Sequence, residues 1–167
     1  MRVYVPATFD MLVSLNNDGV LPVRQGWAFA VTPAVREMYT SGDEEDFEAI
    51  VFDEAAEASL RLLAIGDEHF PHRRVVVSAD VDDSAATPQP DTLEAVVKLD
   101  PAQLRVEDIA AVHVDVKEAE DATRRAVEVI DAADLGDPDA EIAVGEAQDH
   151  YMAFYDPSEL PFLIELM

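Results

Sequence analysis

Four short runs in this chain alternate apolar with polar residues. Val3 and Val5 alternate with Arg2 and Tyr4, and residues 73–81 place Val75, Val77, Ala79 and Val81 two apart. Residues 93–99 do the same with Leu93, Ala95, Val97 and Leu99, and residues 109–116 with Val112 and Val114. Successive side chains of a strand point to opposite faces, so each run is predicted to be a half-buried strand. Tyr4, Ser78, Asp80, Glu94, Lys98, His113 and Asp115 then fall on the other side. Such strands build a sheet with one apolar and one mixed face. Helices are expected to cover the first and leave the second open.

Helix signals fill the gaps. Thr8 is placed to cap a helix carrying Phe9, Leu12 and Leu15, with Asp10 favourable to its dipole and Gly19 as its stop. Residues 27–31 read as another strand. Thr32-Pro33 is an N-cap with proline at the first helical position of a short helix reaching about Tyr39. Ser41 and Glu44 have capping-box spacing before the longest helix. That helix carries one apolar stripe of Phe47, Ile50, Val51, Ala55, Ala58, Leu62 and Ile65 and a second of Phe52, Ala56, Leu60 and Leu63, which implies heavy burial. Residues 73–81 and 93–99 are predicted to pair as one hairpin across the exposed loop DDSAATPQPDT. Asp115 and Glu118 are expected to cap a helix striped with Ala119, Ala122, Ala126, Ile130 and Ala133. LGDPDAEIAVGEAQD reads as a loop with one helical turn at most. Residues 150–155 read as the last strand, followed by a short helix from about Ser158. The expected fold is α+β: one domain over residues 1–167, a mixed sheet of about six strands, and helices packed mainly on one face.

Charge narrows the partners. Thirty-six acidic residues against 11 basic ones leave −25, which repels phosphate backbones and anionic lipid, so neither nucleic acid nor a membrane is expected. A basic protein or a second copy of the chain is the expected partner. The absence of cysteine removes disulfides, thiolate metal sites and thiol nucleophiles, and fits the cytoplasm. The first dozen residues lack the shape of a secretory leader, and no run of 18 apolar residues exists to span a bilayer. The charge is also unevenly spread. In residues 1–40, Asp10, Asp18 and Glu37 are balanced by Arg2, Arg24 and Arg36, so the whole excess lies in residues 41–167. The neutral segment is therefore either more deeply buried or turned toward a ligand or partner.

Two constellations could carry function. His113 and Asp115 lie two apart on the expected open face, as an acid/base pair would, with Tyr4 or Lys98 assisting; against this, Asp115 already has work as a helix cap. Arg24, Trp27 and Lys98 are ligand- or partner-binding candidates, since arginine and tryptophan are favoured at recognition hot spots. Other motifs fail on chemistry. His69 and His72 beside Glu68 have ligand-like spacing, but Pro71 breaks their shared face and zinc needs more ligands. DVDDSAATPQPD puts acids at calcium-loop positions, yet Ala85 stands where that loop needs glycine. The glycines are isolated, so no phosphate loop or dinucleotide fingerprint exists. No metal and no cofactor is expected.

The segments MRVYVPAT, AFAVTPAVRE, RRVVVSADV, AAVHVDV and DHYMAFYDPSELP, in this order, resemble a domain-of-unknown-function family of short actinobacterial proteins over nearly the whole chain. The resemblance brings no activity, cofactor or site residue with it. The leading expectation is a non-catalytic cytoplasmic module that self-associates or binds a protein. The alternative is a small-molecule enzyme using His113 and Asp115 on the open sheet face.

Overall fold

The first alternating run forms strand β1 (Arg2–Ala7), with Val3, Val5 and Ala7 fully buried, in a computed structural model that describes residues 1–66 and 68–167. Helix α1 (Phe9–Asp18) follows, its Met11 N–H donating to the Thr8 side chain and its end turned by Gly19 at φ 72°. The chain continues through strands β2 (Val20–Pro22) and β3 (Trp27–Phe29), then helices α2 (Pro33–Met38) and α3 (Glu44–Ala64). Strands β4 (Val75–Asp80), β5 (Ala86–Pro88), β6 (Val96–Leu99), β7 (Gln103–Arg105) and β8 (Ile109–Asp115) come next. Helices α4 (Glu120–Asp134) and α5 (Pro138–Gln148), strand β9 (Met152–Tyr155) and helix α6 (Leu160–Glu165) complete the order.

The class is α+β, as expected, but the sheet is larger. Seven strands run in the order β5-β6-β3-β1-β4-β8-β9, each neighbour antiparallel, and β2 and β7 form a separate ribbon. The mixed sheet of about six strands is corrected for two reasons. Three-residue strands are too short to show alternation. After α1 the chain also passes through β2, and β3 then pairs antiparallel with β1. The predicted hairpin is replaced as well. β4 and β6 are separated by β3 and β1, and β6 pairs with β5, which lies inside the stretch read as a loop.

Helices lie on both faces rather than mainly on one. On the first, Val3, Val5, Val75, Val77, Val97, Leu99, Val112 and Val114 pack against Phe9, Leu12 and Leu15 of α1, Leu160 and Leu163 of α6, and Leu21 and Leu104 of the ribbon. Each such fully buried leucine or phenylalanine contributes about 2–3 kcal/mol. On the second face Tyr4, Val76 and Ala95 meet Val35 of α2 and Phe47, Val51, Ala55 and Ala56 of α3. The mixed face is thus not open, because Val76 and Tyr4 give α3 an apolar seat. The remaining stripe of α3, Leu60 and Leu63, packs with Ala126 and Ile130 of α4 and Val144 and Ala147 of α5, so the two-faced helix is sandwiched. Its cap is Asp43 with Asp46 in place of Ser41 with Glu44. Among the described residues no helix is long and apolar enough to cross a membrane.

Candidate functional site

The link between β2 and β3 borders an apolar hollow. A single tight turn over Arg24–Gly26 holds Gln25 at φ 55° and Gly26 at φ 76°, and the Gly26 N–H donates to the Val23 carbonyl at 2.9 Å. Glycine is required at 26: a Cβ there would lie 2.7 Å from the Leu99 carbonyl oxygen. This close approach lets β3 pair with β6 in the register that sets Trp27 opposite Lys98. The Trp27 indole N–H donates to Gln25 Oε1 at 3.0 Å, and the Lys98 ammonium sits 5.6 Å from the ring centroid. An exposed cation over an indole contributes about 0.5–1 kcal/mol.

Beside this indole runs a cleft of about 430 Å³, with Pro6 and Phe29 from the sheet, Ala58 and Leu62 from α3, Met11 from α1, and Arg24 and Gln25 at the turn. The neutral first forty residues therefore supply most of one wall. Arg61 also lines the cleft, but its charge is spent on Asp134 at 2.7 Å and Glu57 at 2.9 Å. Arg2, Arg36, Arg73, Arg74, Arg105 and Arg124 likewise each hold a carboxylate. Arg24, Lys98, Lys117 and Arg125 hold none among the described residues, and of these four only Arg24 lines this cleft. Arg24 and Trp27 thus line one cleft, while Lys98 touches the indole but belongs to a separate hollow of about 510 Å³ with Thr87, Gln89 and Asp100.

The three catalytic candidates fare differently. His113 Nε2 lies 3.1 Å from Ser78 Oγ, and its ring is packed between Phe52 at 4.9 Å and Phe154 at 6.5 Å. Burial drives its pKa down to about 4, with Arg2 adding to the effect, so the ring is neutral. Asp115 is buried and caps no helix; it accepts hydrogen bonds from the Arg74 guanidinium, the Arg74 backbone N–H and Thr123 Oγ1. Tyr4 is buried against Phe52, edge to face at 6.0 Å, and burial raises its hydroxyl pKa. Among the described residues no hydrogen bond joins His113 to Asp115 or Tyr4.

Elsewhere the charged groups of some hollows are already engaged. One of about 530 Å³ is lined by Asp80, Asp82, Arg105 and Asp108, but Arg2 binds Asp80 at 2.7 Å and Arg105 binds Asp108 at 3.2 Å. At the start of α1, Glu68 accepts the N–H groups of Phe9 and Asp10 at 3.0 and 3.3 Å. Burial, reinforced by the Asp10 carboxylate, raises its pKa to about 7. No group of His, Asp and Glu among the described residues is arranged to hold a metal ion.

Against known families, residues 1–164 match the profile of DUF6912, a family of unknown function. The chain belongs to that family. No curated protein and no solved structure matches it. Membership in DUF6912 thus names a lineage without an activity, and the functional reading rests on the cleft.

Sequence reasoning found Arg24, Trp27 and Lys98 by residue type but missed Met11, Phe29 and Leu62. The Gln25-Gly26 pair was the available signal of the turn: glycine after a polar residue between two strands marks a turn that needs positive φ. Nothing local points to Met11 or Leu62, which reach the cleft only through helix placement.

Proposed function

We propose that the protein is a non-catalytic cytoplasmic binding module that recognises its partner through the Trp27 cleft. One observation carries this reading: in a chain with 36 acidic and 11 basic residues, Arg24, held by no carboxylate among the described residues, lines an apolar cleft together with Trp27, whose indole has Lys98 at 5.6 Å. A cation left without a carboxylate in so acidic a chain is available to an incoming group, and aromatic and arginine anchors dominate recognition sites. The enzyme reading has less support. His113 is neutral and packed between phenyl rings, and Asp115 is fully engaged by Arg74 and Thr123.

Fragment mapping by NMR tests the proposal, because the one tryptophan gives a single indole N–H signal. Bound fragments are expected to move that signal together with the amides of Arg24, Gln25 and Leu62. Fragments that gather around His113 instead, or nowhere, overturn it. Self-association through this cleft is a narrower form of the same reading, and sedimentation of the native chain against Trp27→Glu tests it. Equal monomer masses dismiss self-association and leave the module standing.

A further inference from the structure

We infer that the Trp27 cleft takes a small amphipathic carboxylate, its apolar body against Trp27, Phe29 and Leu62 and its charged end on Arg24. This rests on the reading of the cleft as the recognition site and adds the chemical class of its occupant.

The walls set the body of the ligand. Pro6, Met11, Phe29, Ala58 and Leu62 offer carbon surface, and the volume of about 430 Å³ falls in the range of small-molecule sites. Removing an aliphatic chain or a ring from water is favourable there in proportion to the area covered. The rim sets the head group. Arg24 lines the cleft with no carboxylate of the protein on it, and its planar fork is suited to accept one in bidentate geometry. Lys98, 5.6 Å from the indole centroid and also free of any carboxylate among the described residues, adds positive potential on the same sheet face. Arg61 does not compete for the ligand, because Asp134 and Glu57 hold it.

Overall charge sets the size of the occupant. At −25 the protein as a whole disfavours a large acidic partner, whereas a ligand with a single carboxylate responds mainly to charges within a Debye length of about 8–10 Å. At the cleft such a ligand meets Arg24, whose charge no carboxylate among the described residues offsets. A small monocarboxylate therefore fits the electrostatics better than an acidic protein surface. An apolar cation is disfavoured by both nearby cations.

Trp27 reports on its own site, since it is the only tryptophan in the chain. Titrating the full chain with octanoate is expected to give a saturable change in its fluorescence at up to millimolar concentration. Acetate, which has the charge without the body, is expected to be inert. Octanol, which has the body without the charge, is expected to bind more weakly. Arg24→Gln is expected to weaken octanoate about 10-fold, the worth of one charge-assisted hydrogen bond, and to leave octanol unchanged. Arg24 is exposed, so this variant folds as the parent does. Equal binding of octanoate and octanol, or an octanoate affinity indifferent to Arg24→Gln, overturns the carboxylate assignment while the cleft remains a recognition site. Failure of octanoate, octanol and octylammonium alike, together with an unmoved indole signal in fragment mapping, overturns both.

Discussion

At 2% exposure the Arg74 side chain has left water, and Asp115, at 0%, supplies its counter-charge at 2.7 Å. Gln148 Oε1 and the His150 carbonyl accept two more of its N–H groups at 2.8 and 3.0 Å. Breaking such a pair from one side strands a buried charge. Arg74→Met is expected to cost about 3–5 kcal/mol in urea unfolding, and adding Asp115→Leu is expected to recover much of it. Two other residues make stability depend on pH with opposite signs. His113, held neutral by burial with a pKa of about 4, denies the folded chain a proton that the unfolded chain takes up near 6.5. Stability is therefore lost as pH falls from about 6.5 to about 4. Glu68, raised from 4.5 to about 7, keeps a proton that the unfolded chain releases, so its share of stability is lost as pH rises across that window. Urea midpoints at about pH 5 and about pH 8 separate them. His113→Phe is expected to reduce the loss on the acid side, and Glu68→Gln the loss toward neutral pH. The identity of both residues was plain in the sequence, but their burial was not: His113 is neutral because Phe52, distant in the chain, packs against it.

Among the elements, those with strong local signals were legible. Thr8 and Thr32 cap α1 and α2 as their spacing predicts, and Gly19 closes α1. α5 was not legible, although Asp137-Pro138 repeats the cap-then-proline signature of Thr32-Pro33. Its buried side chains, Ala140, Val144 and Ala147, are small, so the helix shows almost no apolar stripe and is held by α4 and α3. Asp137→Ala, which removes the acceptor for the Ala140 N–H, is expected to cost about 1 kcal/mol in thermal or urea unfolding. The turn before β3 is a stiffer constraint. Gly26→Ala combines a left-handed backbone with a clash on Leu99, and is expected to cost about 1–3 kcal/mol. Because that turn positions Trp27 over β6, the same variant is expected to shift the indole fluorescence before any unfolding begins. The hairpin expected from residues 73–81 and 93–99 failed because residues 93–95 lie in a turn and Leu93 stays 53% exposed. Alternation alone cannot tell a strand from an extended turn.

Over the whole molecule, the excess of acid acts as a diffuse destabilising pressure. Self-repulsion at −25 outweighs the surface ion pairs, each of which contributes little. The melting temperature is therefore expected to rise by a few degrees when sodium chloride increases from about 10 mM to about 300 mM, where the Debye length shrinks below 10 Å. A flat or falling curve in a calorimetric titration would show that the ion pairs matter more. By itself the sequence determined the α+β class, the inward side of β1, β4 and β8, most of the helix boundaries and the net charge. Each of these depends on spacing of a few residues or on simple summation, which local backbone geometry converts directly into structure. Only the tertiary structure decided the strand order, the seating of α3 on the mixed face, and the meeting of Arg24 and Trp27 in one cleft with Lys98 over the indole. Those outcomes turn on which distant apolar surfaces bury each other and in what register. The middle valine of Val75-Val76-Val77 makes the point: it gave the second face its apolar seat, but only the helix that settled there made it part of a core.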